Sequence, residues 1–219
     1  MLGYVRRMQR EDIAQVSEID REAFPPEWPP PNFRRELQNR LAHYIVACDA
    51  EKAVDKPEAK TPPREDFAGL ISKLRYLFSD NRFFSKGAPT PSEQHIVGFA
   101  GFWIMADEAH ITTIATRKAY RRQGIGELLL ISIIDLATKL KARIITLEVR
   151  ASNIIAQRLY AKYRFTQVGV RRGYYIDNKE DGIMMSAENI ASASFQEHFE
   201  QLKQAYSMKW GTAHYQVGH

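Results

Sequence analysis

The stretch from Ile111 to Leu130, ITTIATRKAYRRQGIGELLL, limits the possible folds more than any other. Ile111 to Thr116 has the β-branched content of a buried strand. Gly124 and Gly126 follow a short basic turn, and Leu128, Leu129 and Leu130 open an apolar run with helical character. A strand that feeds a glycine-bearing helix start leaves backbone N–H groups unpaired, and the helix dipole adds positive potential there. Glycine lets a bulky anion approach that backbone without meeting a Cβ. Arg121 and Arg122 add charge beside it. The stretch therefore predicts a phosphate-bearing ligand at the start of this helix.

Spacing narrows the ligand. A Walker A loop requires Lys-Ser/Thr after its second glycine, whereas Glu127-Leu128 stands here. A dinucleotide fingerprint requires Gly or Ala where Leu129 stands. Neither reading survives.

The remaining elements follow in chain order. Gly3 to Met8 reads as a strand, and Glu11 to Glu22 as a helix with Ile13, Val16 and Ile19 on one side and Asp12 as its cap. The prolines of Phe24 to Pro31 exclude regular structure. Asn32 is placed to cap a second helix with Phe33, Leu37 and Leu41 on one face, and His43 to Cys48 reads as a strand.

Residues 49–94 interrupt this pattern. Lys52 to Asp66 has linker composition, while Phe67 to Phe78 carries an apolar helical stripe that must be buried against its own domain, a partner protein or a membrane surface. Strands are expected at Ile96 to Met105, His110 to Thr116, Ala142 to Val149, Phe165 to Arg171 and Gly182 to Met185. Helices are expected from about Gly124 to Leu140, from Asn153 to Tyr163 and from Ser194 to Tyr206, ahead of a frayed end. The order implies one α/β domain with a mixed sheet.

Composition excludes several classes of protein. No apolar run is long enough for a bilayer span, and the first residues lack the apolar core of a secretion signal. A single cysteine, Cys48, cannot form an internal disulfide, which agrees with a reducing, cytoplasmic setting. The net charge of +5 is spread over scattered Arg pairs rather than a basic run, so no direct nucleic-acid face is expected. The six histidines show no metal-ligand spacing, and no metal is expected.

Arg121-Arg122-Gln123-Gly124-Ile125-Gly126 fits the Arg/Gln-x-x-Gly-x-Gly/Ala signature of the GNAT acetyltransferases. Leu147-Glu148-Val149-Arg150-Ala151-Ser152-Asn153, Leu159-Tyr160 and Gly173-Tyr174-Tyr175 closely resemble the ribosomal-protein-alanine N-acetyltransferases (RimI type) of that family. The resemblance spans most of 3–48 and 95–187. It implies a catalytic domain over 1–187, with 49–94 as an insertion and 188–219 as an extension.

The implied fold is a mixed central sheet, flanked by helices and splayed open to form the slot for acetyl-coenzyme A. The resemblance places the coenzyme's pyrophosphate on 121–126, its pantetheine arm along the backbone of Ile114, Ala115 and Thr116, and an amide contact at Asn153. Asn153 is also what a helix N-cap requires. Glu148 matches the proton acceptor, the alternative being a strand-end carboxylate. Tyr160 matches the acid that protonates the departing sulfur, the alternative being a core-packed phenol. Phe24 and Pro25 with Tyr174 and Tyr175 would form the peptide entrance, the alternative for the Tyr pair being a surface hairpin.

The implied reaction is direct acetyl transfer, in a ternary complex, to the N-terminal amine of a small-subunit ribosomal protein that begins with alanine. Two rivals are a GNAT enzyme acting on a small amine or lysine side chain, and a non-catalytic coenzyme A-binding module. The sequence leaves the oligomeric state open.

Overall fold

The computed structural model describes residues 3–53, 94–211 and 214–216. In order they form β1 (Gly3–Arg7), a 3-10 turn (Arg10–Asp12), α1 (Ile13–Ala23), α2 (Phe33–Glu36), β2 (Ala42–Ala53), β3 (Gln94–Met105) and β4 (Glu108–Thr116). A second 3-10 turn (Lys118–Tyr120) leads to α3 (Ile125–Lys139), β5 (Ile144–Arg150), α4 (Ile154–Lys162), β6 (Thr166–Tyr175), β7 (Glu180–Glu188), α5 (Ala193–Trp210) and β8 (His214–Gln216). The strands make a single sheet in the order β6-β7-β5-β4-β3-β2-β1-β8. The sheet is mixed: β4–β5 and β1–β8 are parallel, the other pairs antiparallel.

Strand alternation divides the interior into two layers. On β5, Ile145, Leu147 and Val149 are buried in the larger cluster with α3. On the other side of the sheet, Val16 and Ile19 of α1 pack with Phe33, Tyr44, Val46 and Phe99. The core of α3 is apolar all round, with Leu128 through Ile134 buried without interruption. Such a helix needs cover on both sides. The sheet supplies one, and Phe195, Phe199 and Tyr206 of α5 supply the other.

The feature that positions the site is a register change. In the β3–β4 ladder Gly101 pairs with Thr113 and Phe102 with Ile111, leaving Thr112 as an extra residue on β4. Its hydroxyl donates to the Gly101 carbonyl at 3.1 Å. A bulge of this kind bends its strand and increases the local twist. The β4–β5 ladder stops at the same point: its last pair is Ile111 with Leu147. Beyond it, β4 runs on to Thr116 and β5 to Arg150 without pairing to each other. The expected splayed sheet is therefore present, and the bulge supplies its cause.

Three local expectations differ from the structure. Asp12 does not cap α1; it is fully buried and takes both terminal nitrogens of Arg6, at 2.6 and 2.8 Å, together with the Gln9 N–H. A charged partner holds that carboxylate more strongly than a cap would. Asn32 does cap α2, accepting from the Arg35 N–H. That helix stops after one turn, however, and Leu41 is exposed because the Leu41 carbonyl instead takes the Ile104 N–H at the start of the β2–β3 ladder. In the end expected to fray, His214–Gln216 pairs with β1. The expected 67–78 helix lies outside the described residues. Since β2 and β3 are adjacent antiparallel strands, residues 54–93 connect neighbours in the sheet.

Candidate active site

The mouth of the β4–β5 opening is lined from two sides. Glu148, just beyond the point where β5 stops pairing with β4, projects to the α1/α2 face, and its side chain is only 7% exposed. Two basic side chains flank it: His110 Nε2 stands 3.3 Å from Oε2, and the Arg171 guanidinium 3.1 Å from Oε1. The register of the parallel pair puts His110 beside Thr146, two residues before Glu148 and on the same face.

Hydrogen bonding orients the His110 ring. The Thr146 hydroxyl donates to Glu108 Oε1 at 2.5 Å, so it can only accept from His110 Nδ1, 2.9 Å away, and this leaves Nε2 facing Glu148.

Tyr160 approaches from the other layer. It is half-buried on α4, packs against the α3-side cluster, and lies 5.8 Å from the Phe165 ring between centroids. Burial pushes its hydroxyl up to about 12. That makes it roughly 3 kcal/mol harder to ionise than an exposed phenol. Tyr175 is raised chiefly by burial; Arg150 opposes that shift while Tyr174, Tyr160 and Glu148 add to it.

Tyr175 also organises the entrance. Its ring carries the Arg150 guanidinium 4.0 Å from its centroid, meets Trp28 at 5.6 Å and crosses Tyr174 edge-on at 5.2 Å. Arg150 is held in turn by Asp177 and Glu180. Of the first loop, Trp28 is the residue that reaches this aromatic group, whereas Phe24 packs with the α1/α2 cluster. Pro25 is half-buried, and its carbonyl accepts the Trp28 N–H at 3.0 Å.

Some way along the opening lies the glycine turn. Arg122 and Gly124 both have positive φ (60° and 82°), which aims the chain into α3. The first helical bond runs from Leu128 N–H to the Gly124 carbonyl, so the helix uses none of the amides of Ile125, Gly126 and Glu127. A Cβ added to Gly126 would meet nothing nearer than Thr116 Oγ1 at 3.9 Å. The fold itself does not demand glycine there, whereas an anion lying against the amides would. This open, donor-only cradle fits a phosphate group. Arg121 and Arg122 are exposed beside it, and Gln123 turns back to donate to the Ala119 carbonyl.

On β4, Thr116, Ala115 and Ile114 pair with Gly98, Phe99 and Ala100, leaving the edge toward β5 without a strand partner. Asn153 caps α4 by accepting from the Ala156 N–H at 3.2 Å, as a cap should. Among the described residues no group of His, Cys, Asp and Glu is gathered to hold a metal ion, and no helix is long and apolar enough to cross a membrane.

A mixed sheet opened at a bulge, with free helix-start amides and an enclosed carboxylate along the opening, is an architecture suited to an acyl-group transferase. The sequence matches the Acetyltransferase (GNAT) family over residues 55–165, and the chain belongs to that family and is an N-acetyltransferase. A Bacillus subtilis (strain 168) protein, provisionally named a ribosomal protein bS18-alanine N-acetyltransferase, is 34% identical over 83% of this chain and 92% of its own length. The Escherichia coli (strain K12) enzyme of that name is 40% identical over 42% of this chain and 63% of its own. Among solved structures, the Escherichia coli ribosomal-protein-S18-alanine N-acetyltransferase superposes with a TM-score of 0.59 at 24% identity, covering 86% of this chain and 94% of that one. Ard1 from Thermoplasma volcanium gives 0.60 at 19% identity, with 86% and 98% covered. These two structural likenesses concern the fold.

Proposed function

We propose that this enzyme moves the acetyl group of acetyl-coenzyme A to the N-terminal amine of a protein, the alanine terminus of a small-subunit ribosomal protein being the acceptor that its named relatives suggest. The observation that carries the reading is Glu148, enclosed beside His110 at the mouth of the opening, with Tyr160 on the opposite layer. We read residues 1–187 as the catalytic domain, 49–94 as an insertion leaving from between neighbouring strands, and 188–219 as an extension built into the core.

The amides of Ile125, Gly126 and Glu127, with Arg121, Arg122 and Gln123 around them, take the coenzyme's diphosphate. The unpaired edge of Ile114, Ala115 and Thr116 pairs with the pantetheine amides as an added strand would. Asn153, whose carbonyl oxygen serves the cap, offers its NH2 to the same arm. Tyr174, Tyr175 and Trp28, with Pro25 and Phe24 behind them, form the acceptor entrance.

An α-amine with a pKa near 8 must lose a proton to attack. Glu148 takes it, directly or through water. The nitrogen then bonds to the thioester carbonyl carbon, and the N–H groups of the open β4 edge face the oxyanion. When the C–S bond breaks, the Tyr160 hydroxyl donates to sulfur and the nitrogen gives its second proton to solvent, leaving a neutral amide. Because burial keeps that hydroxyl protonated, it is always loaded as a donor, and it regains its proton from Glu148 or solvent afterwards. No acyl-enzyme forms, and the products are the amide and the free thiol.

The test offers purified enzyme, with labelled acetyl-coenzyme A, a panel of peptides differing in their first residue, beside spermidine and internal-lysine peptides. Selective labelling of Ala-starting peptides is expected. Labelling of polyamines or lysines alone would replace the acceptor assignment, and no labelling with intact coenzyme binding would favour a non-catalytic module.

A further inference from the structure

The extension ends its helix at Trp210, and the path of α5 takes that residue to the coenzyme cradle. Along α5, Gln196 meets Thr138, Lys203 pairs with Asp135, and Trp210 reaches Gly124. The two helices thus run antiparallel, and the end of α5 lies at the start of α3. A Cβ built on Gly124 would fall 2.9 Å from each of Cδ2, Cε2 and Nε1 of Trp210, so the indole rests directly on the glycine.

Two buried side-chain polar atoms among the described residues have no hydrogen-bond partner: Thr113 Oγ1 on β4 and Trp210 Nε1. A buried indole N–H can only donate, and leaving it unbonded is a cost that an acceptor would remove. Around the same glycine stand the unused amides of Ile125, Gly126 and Glu127, also donors only. The indole N–H and these backbone N–H groups are thus donors gathered about one glycine. Gly126 leaves the approach to them open.

We propose that Trp210 is a binding residue for the donor's diphosphate, its indole N–H adding a side-chain donor to the amides at the start of α3. The assignment rests on the acetyl-coenzyme A reading above and gives the C-terminal extension a part in the site. The ring also rests on Gly124, so coenzyme binding and the docking of α5 support each other.

Trp210→Phe keeps the ring and removes the N–H. Dissociation constants are measured by calorimetry for wild type and variant with acetyl-coenzyme A and with its 3′-dephospho form. Both ligands should weaken by about tenfold, the effect of one hydrogen bond to a charged acceptor. Unchanged affinity would overturn the proposal, and a loss confined to the 3′-phosphorylated ligand would overturn the diphosphate assignment.

A second readout needs no substitution. The chain has 3 tryptophans, and Trp103 Nε1 already donates to Glu36. In 15N NMR spectra of wild type, acetyl-coenzyme A should move the Trp210 indole N–H signal downfield, while phosphate-free acetyl-pantetheine should leave it in place. Equal shifts with both would make Trp210 a packing residue and refute its phosphate contact. Failure of wild type to bind acetyl-coenzyme A would remove the donor reading itself, a result the wild-type titration separates from any effect of the substitution.

Discussion

Glu148→Gln isolates the base. The substitution keeps the volume of a side chain that is 7% exposed and seated between His110 at 3.3 Å and Arg171 at 3.1 Å. The amide retains one acceptor oxygen but turns an NH2 toward one of two donors, and it cannot take a proton from an ammonium group. Loss of a positioned general base lowers the rate roughly 100- to 10,000-fold. On the barrier this is about 3 to 5 kcal/mol.

Stability should suffer less. Arg171 is half-exposed and can be rehydrated, so the cost is about 1 to 2 kcal/mol rather than that of stranding a fully buried charge. For a chain of this size that lowers Tm by roughly 2 to 8 °C. Initial rates at saturating peptide, calorimetry with acetyl-coenzyme A and a thermal melt read the three quantities. Coenzyme affinity should stay within about twofold of wild type, because the phosphate cradle lies elsewhere along the opening. A kcat within fivefold of wild type, or coenzyme affinity falling in step with rate, would refute the base assignment.

Gly126→Glu should fold normally, since the site has room for a side chain and an acidic residue suits a helix start. It should nevertheless abolish measurable acetyl-coenzyme A binding; retained affinity would move the diphosphate elsewhere. Trp28→Ala should raise KM for the acceptor peptide several-fold while leaving coenzyme affinity alone, because its contact is with Tyr175; an unchanged KM would take Trp28 out of the entrance.

Phe199→Ala empties a position that is 1% exposed beneath α3 and should cost about 3 to 5 kcal/mol. A Tm drop of at least about 6 °C is expected, and a smaller one would mean that the extension is not part of the core. Burial holds the hydroxyls of Tyr44, Tyr160 and Tyr206 up to about 12. Above pH 10 the unfolded phenols ionise first, so stability should be full below that pH and fall steadily toward pH 12. Absorbance at 295 nm would check this: tyrosines titrating freely near pH 10 with the fold intact would contradict it.

Local pattern revealed the elements whose causes are local. The β-branched run, basic turn and glycines before Leu128 predicted β4, the turn and α3 within a residue or two. Asn32 and Asn153 cap their helices as their spacing suggests. Glu148 and Tyr160 stand out in the sequence only through resemblance to a family, and their roles are proposals on that ground.

What the sequence concealed depends on register and on long-range charge. His110 meets Glu148 only because β4 and β5 pair in parallel at His110–Thr146, and no spacing rule links residues so far apart. The bulge at Thr112 leaves no mark in the alternation of a Thr-rich strand. Asp12 has the composition of a cap, but Arg6 on a neighbouring strand is a stronger partner. Trp210 stood in a polar tail, and only the antiparallel packing of α5 on α3 takes it to Gly124.

The most direct test is a crystal structure with a bisubstrate compound joining coenzyme A to the N-terminal nitrogen of an Ala-starting peptide. The account predicts the diphosphate on the amides of residues 125–127, the sulfur within hydrogen-bond reach of the Tyr160 hydroxyl and the peptide nitrogen facing Glu148. A compound seated outside the β4–β5 opening, or one whose nitrogen points away from Glu148, would contradict it.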